Sequence, residues 1–155
     1  MSFSINFDVT PNQSLVYQNT PCACSNVQTK QLNPYDTAKE FCNIYYPAMS
    51  SQGMSAVLHL FDSNVMCNYG GKECIGMHNV MVMIASEGVS RILYDKLNGT
   101  VIPINDNTMS LQVTGLSQGV TFWNQATPVY TFSEIFILTV TDGKIFVSGY
   151  SFKLI

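Results

Sequence analysis

From Tyr130 to Val140, apolar side chains occupy both parities of the chain: Phe132, Phe136, Leu138 and Val140 fall on one, Ile135 and Ile137 on the other. Successive side chains of a strand point to opposite faces, so a strand here needs apolar cover on both. Helices would cover one face and a second subunit the other. Asp142-Gly143 follows, and a second alternating segment runs on to Ile155. Asp-Gly between two such segments predicts a closing β-hairpin. From Ser90 onward the same period of two marks Ile92 and Tyr94, then Met109, Leu111 and Val113, then Val120 to Trp123. Asn98-Gly99, Asp106-Asn107 and Gly-containing stretches read as the turns between them.

Before Ser90 the period lengthens. Asn33-Pro34 supplies an N-cap and a proline preset for the first helical position, and Asp36 stands where the helix macrodipole favours an anion. Tyr35, Ala38, Cys42, Tyr45 and Met49 then step by three and four, with Phe41 alongside, so a helix from Pro34 to about Met49 has one apolar face. Met54 to Phe61 predicts a short second helix. Val65 to Tyr69 reads as extended, Gly70-Gly71 as a turn, and Met77, Val80, Met81 and Ile84 as a third helix that Gly88 ends. Helices followed by antiparallel strands give an α+β order.

Residues 1–33 form an arm ahead of a domain at 34–155. Its alternating Phe3, Ile5, Phe7 and Val9 could add an edge strand or be offered to a partner as a short motif.

The chain of 155 residues has room for one sizeable core. Charged residues are only 11%, so much of the surface is Asn, Ser, Thr, Gln and apolar atoms, a composition that invites self-association. A net charge of −3 without a Lys/Arg cluster argues against nucleic acid and against an anionic membrane surface. The N-terminal segment lacks a basic, apolar leader and no run is long enough to span a bilayer, which gives an intracellular expectation, cytoplasmic or nuclear. Five cysteines, an odd number without framework spacing, agree with a reducing compartment. Cys22-x-Cys24 has no second ligand pair for zinc, so neither metal nor cofactor is expected.

The order of elements resembles the nuclear transport factor 2-like family. The likeness rests on Ala38-Lys39-Glu40-Phe41-Cys42-Asn43-Ile44-Tyr45-Tyr46, on Leu58-His59-Leu60-Phe61 before Tyr69-Gly70-Gly71, and on Gly76. It continues through Asp106-Asn107, Val113-Thr114-Gly115-Leu116 and Phe132-Ser133-Glu134-Ile135-Phe136-Ile137-Leu138. It implies a cystatin-like cone, a curved antiparallel sheet wrapped around one long and two shorter helices. Gly149-Tyr150 stands where the family usually has Asn-Asp, an aspartate that braces the fold or an interface. Tyr69-Gly70 replaces the Trp-Glu of the transport factor, and Asn124 to Val129 lacks the acids with which that factor grips the small GTPase Ran, so the resemblance does not extend to Ran. A second branch, the Ras-GTPase-activating-protein-binding scaffolds, is similar as well. There an apolar groove accepts short Phe-Gly peptides, and the matching positions are Phe41, Leu60, Phe132 and Phe136.

Cones of this family also include isomerases and dehydratases with acids, bases and tyrosines in the mouth. The residues of those types here are His59, Asp62, His78, Asp95, Tyr45, Tyr46 and Tyr69, of which Tyr45, Tyr69 and His78 are the cavity candidates. Acid–base work needs two titratable groups converging on one cavity. His59 between two leucines reads as outward-facing, Asp62 as a helix-end residue and His78 as a first-turn surface residue. The expectation is therefore a non-enzymatic homodimeric adaptor that takes short Phe-containing segments, in nucleocytoplasmic transport or ribonucleoprotein scaffolding. The alternative is a small-molecule enzyme or carrier of the ketosteroid-isomerase type. A third possibility has Phe3-Ser4-Ile5-Asn6-Phe7 filling the chain's own groove or its partner's.

Overall fold

The computed structural model describes residues 1–6 and 33–155. Asn33 caps the long helix α1 (Pro34–Ser51), its side-chain oxygen accepting from the amides of Tyr35 and Asp36 at 3.0 and 3.2 Å. The buried stripe of α1 is Ala38, Phe41, Cys42, Tyr45, Tyr46 and Met49, as the three-and-four spacing predicts. Met54 to Leu60 is not a second α-helix. It forms two successive 3₁₀ turns, Met54–Ala56 and Leu58–Leu60. Gly53 enters at φ +91 and Phe61 is already extended, so the segment is too short to repay α-helical nucleation, while a three-residue pitch still buries Met54 and Val57.

Among the described residues seven strands make one sheet in the order β1-β4-β5-β6-β7-β2-β3. They are β1 (Ser2–Ile5), β2 (Phe61–Tyr69), β3 (Lys72–Ile75), β4 (Val89–Asn105), β5 (Thr108–Thr121), β6 (Ala126–Thr141) and β7 (Lys144–Leu154), with α2 (Met77–Ser86) between β3 and β4. The closing hairpin is as expected: Asp142 and Gly143 both take positive φ, the two-residue turn whose twist matches its strands. The sheet is mixed rather than purely antiparallel, because β2 runs parallel to β7. The first segment of the arm does add an edge strand, β1 on β4, whereas Phe7, Val9 and Cys22-x-Cys24 lie outside the described residues.

The turn expected at Asn98-Gly99 is absorbed into a longer strand. Asn98-Gly99 lies inside β4, where Gly99 faces Phe3 across the sheet; the segment from Val120 to Trp123, expected to be extended, is strand only to Thr121 at the end of β5, and Phe122 and Trp123 form the turn beyond it. Between Asp95 and Asn98, β4 carries an extra residue against β5, with Lys96 at φ 55. A Cβ on Gly115 opposite would stand 2.8 Å from Leu97 and 2.9 Å from the Asp95 carbonyl, so the bulge requires glycine there. Such bulges bend a strand and raise its twist, and here they curl the sheet around α1. Inside the curl Tyr45, Tyr46, Phe41, Phe132, Phe136, Met109, Leu111 and Leu138 are fully buried.

Candidate functional site

The inward parity of β6 carries Phe132, Glu134, Phe136 and Leu138, so one carboxylate points into an otherwise apolar core. Its cross-strand neighbours are Val113 on β5 and Phe152 on β7. Three phenols converge on it. Tyr46 donates to Oε1 at 2.8 Å, Tyr45 approaches Oε2 at 3.5 Å, and Tyr150 donates to the same Oε2. Burial pushes the Glu134 carboxyl up to about 7, against the opposing pull of the three hydroxyls. Burial first, and the nearby carboxylate second, push Tyr45, Tyr46 and the Cys42 thiol upward, so the phenols remain neutral donors and Cys42 remains a thiol. Glu134 thus exists in both protonation states near neutrality. Aromatic rings close around the cluster: Phe136 meets Tyr45 at 5.0 Å and Tyr150 at 5.4 Å, and Tyr94 meets Tyr46 at 4.7 Å. The oxygens of Glu134 are taken up by hydroxyls of the chain itself.

A second feature opens to solvent. At the mouth of the cone a concavity of about 420 Å³ lies between α2, the start of β4, and β5 to β7. Ile84, Ile92, Val89, Phe152 and Leu154 make its apolar wall; Tyr69, stacked on Phe152 at 5.1 Å, and Tyr130 add aromatic faces. Among the described residues Glu87 is the single carboxylate on it. Burial, then Glu87 and Glu134, hold the Tyr69 phenol above its ordinary range, so it too is a neutral donor. Mostly apolar walls with a few polar groups are the usual composition of a binding pocket.

The residues singled out from sequence separate accordingly. Phe41, Phe132 and Phe136 are core, and Leu60 is half-buried beside them; together they form no open groove, because α1 and the sheet close on one another at 4.8 Å between Phe41 and Phe136. Phe132 reaches the mouth only from behind, stacked against Phe152. Tyr45 and Tyr46 join the Glu134 cluster and Tyr69 lines the mouth. His59 and His78 are exposed and line neither of the two concavities described; Asp62, second in β2, accepts from the Asn64 amide, and Asp95 accepts from the Lys96 amide at the bulge. Among the described residues no three of His, Cys, Asp and Glu are placed to hold a metal. Glu134 is the residue that the sequence reading passed over, although it shares the parity of Phe132 and Phe136. The acid expected on β7 is Tyr150 here, and the carboxylate that braces the interior stands one strand away, on β6.

A curved sheet around one long helix, with an open mouth, defines a cone-shaped scaffold. The chain belongs to the nuclear transport factor 2 (NTF2) domain family, whose sequence model matches residues 37–150. No curated protein matches the sequence. Among solved structures it resembles nuclear transport factor 2 from Cryptosporidium parvum, at 17% identity and TM-score 0.66 over 83% of this chain and 100% of that one. It also resembles a Caulobacter vibrioides protein with a cystatin-like fold, at 10% identity and TM-score 0.62 over 79% and 89% of the two chains. A candidate scytalone dehydratase from Novosphingobium aromaticivorans matches at 7% identity and TM-score 0.60 over 94% and 89%. At identities this low the likeness shows the shared fold alone.

Proposed function

We propose that the protein is a non-enzymatic, homodimeric adaptor of the cytoplasm or nucleus that binds short Phe-containing segments of partner proteins, in nucleocytoplasmic transport or ribonucleoprotein scaffolding. The observation that carries this reading is the contrast between the two features of the cone: the open mouth is apolar and aromatic, while Glu134, the group with a pKa near neutrality, is enclosed by Tyr45, Tyr46 and Tyr150. A phenyl ring suits Tyr69, Tyr130 and Phe152, which offer edge and face contacts to an aromatic guest. The docking residues are therefore those of the mouth, not the buried Phe41, Phe132 and Phe136. Free thiols at Cys42, Cys67 and Cys74 suit a reducing compartment; Cys67 and Cys74 lie directly opposite one another on β2 and β3.

Titration of a labelled Phe-Gly peptide tests the site. Saturable binding is expected in the micromolar-to-millimolar range of a small interface, roughly −4 to −8 kcal/mol. Tyr130→Ala and Tyr69→Ala should each weaken it several-fold. Absence of saturation, or affinity indifferent to both substitutions, rejects the site.

The second reading, a small-molecule enzyme of the ketosteroid-isomerase type, draws on Glu134 and its phenols. It requires substrate to reach the carboxylate, and Glu134 lines neither concavity described. A ligand whose binding shifts the Glu134 carboxyl resonance in NMR, and is lost in Glu134→Gln, would favour it over the adaptor.

A further inference from the structure

Strand β1 covers the stretch of β4 from Leu97 to Thr100, which without it would be an unpaired sheet edge. Ser2 and Ser4 face solvent, while Phe3 and Ile5 point inward and are buried. The Phe3 ring rests on Gly99, where a Cβ would stand 2.7 Å from its Cζ, and Tyr35 of α1 meets the ring edge-on at 5.3 Å. Glycine in mid-strand costs stability unless another group uses the space, and here the phenyl ring does. A cleft of about 240 Å³, lined by Phe3, Ile5, Lys39, Cys42 and Asn43, still separates part of the strand from α1. Residues 7–32 lie between this strand and the helix. That covalent link keeps the strand in competition with any other segment for the edge of β4.

We propose that the Leu97–Thr100 edge of β4 is a strand-docking site for an extended partner segment with Phe, any residue, then an aliphatic residue, and that Phe3-Ser4-Ile5 is its resident occupant. Main-chain hydrogen bonds to β4 give affinity for any extended segment; the hollow over Gly99 and the adjoining inward position select the aromatic and the aliphatic side chain. The tethered strand competes at a high effective concentration, so the site opens only to a segment that outbids it or when the strand is held elsewhere. This site stands apart from the cone mouth, which Val89 and Ile92 line further up the same strand.

The test is anisotropy titration of the full chain with a labelled peptide of residues 1–6. Phe3→Ser/Ile5→Ser should bind the peptide saturably, at least about tenfold more tightly than wild type, since the tethered competitor is disabled. Adding Gly99→Val to that variant should abolish binding by filling the hollow. Failure of the folded double variant to bind, or binding indifferent to Gly99→Val, overturns the proposal. Should the double variant not fold, Ile5→Ala takes its place: tighter binding than wild type upholds the site, and equal or no binding overturns it. A wild-type oligomer that the peptide dissociates would make a second copy's strand the occupant and overturn the assignment to a partner protein.

Discussion

Glu134 sits in the core with a carboxyl raised from 4.5 to about 7, and that shift couples folding to pH. The unfolded chain gives up this proton near 4.5 and the folded chain near 7. The stability contributed by the protonated group is therefore whole below about 4.5, declines between 4.5 and 7, and is gone above. At about 1.4 kcal/mol per unit, the loss is on the order of 3 kcal/mol. Glu134→Gln keeps one acceptor oxygen, for either Tyr46 or Tyr150, turns the other position into an amide donor, and cannot ionise. Urea midpoints at pH 5 and pH 8 should fall further in wild type than in the variant, and parallel falls would refute the assignment. Tyr150→Phe removes one donor to the carboxylate, costs about 1–3 kcal/mol, and should cost more at pH 8, where the carboxylate is ionised, than at pH 5. The inward position of Glu134 was legible from its parity with Phe132 and Phe136. Its hydroxyl partners were not, because Tyr45 and Tyr46 lie 89 and 88 positions away and meet it only when the sheet curls.

Local signals carried α1, α2 and the closing hairpin, each of which is determined by neighbours a few residues apart: the Asn33 cap, the three-and-four stripe, the Asp142-Gly143 turn. Pairing between distant segments was not readable. The parallel contact of β2 with β7 joins Phe61 to Val147, and Asn98-Gly99 resembles a turn until Phe3 is seen to occupy the space above Gly99. The junction after α1 shows how one backbone position decides an element. Gly53 has φ +91, and a Cβ there would stand 2.2 Å from the Ser90 carbonyl oxygen, so the start of β4 is packed directly against the chain where the 3₁₀ turns begin. Gly53→Ala adds both left-handed strain and a backbone clash. A loss of about 2–4 kcal/mol is expected from denaturant melts, with α1 helicity retained in circular dichroism. A cost below about 1 kcal/mol would mean that the Gly53–Ser90 approach is looser than described.

Across the whole molecule, the two faces of β6 are covered differently. Helix α1 covers the inner face. On the outer face Ile102, Ser110, Ile137 and Gly149 form one row across four strands, and Thr100, Gln112, Ile135 and Ser151 form the next. Neither row holds a charge, and Ile102 is 59% exposed. Gly149 leaves Ile137 standing as a ridge, since a Cβ at 149 would come within 3.0 Å of its Cγ1. The two rows are uncharged while the next one on this face, Asn98, Thr114, Ser133 and Lys153, ends on a lysine; a dimer about a twofold axis would set these rows against their own copies. Light scattering should then give twice the 17.2 kDa chain mass. Ile137→Lys places a charge on the ridge of both copies at once, where burial without a partner is costly. That variant should be a folded monomer at micromolar concentration, with unchanged far-ultraviolet circular dichroism. Wild type at monomer mass, or Ile137→Lys still dimeric, would mean that this face meets water and that the apolar residues of its odd parity serve something other than a twin.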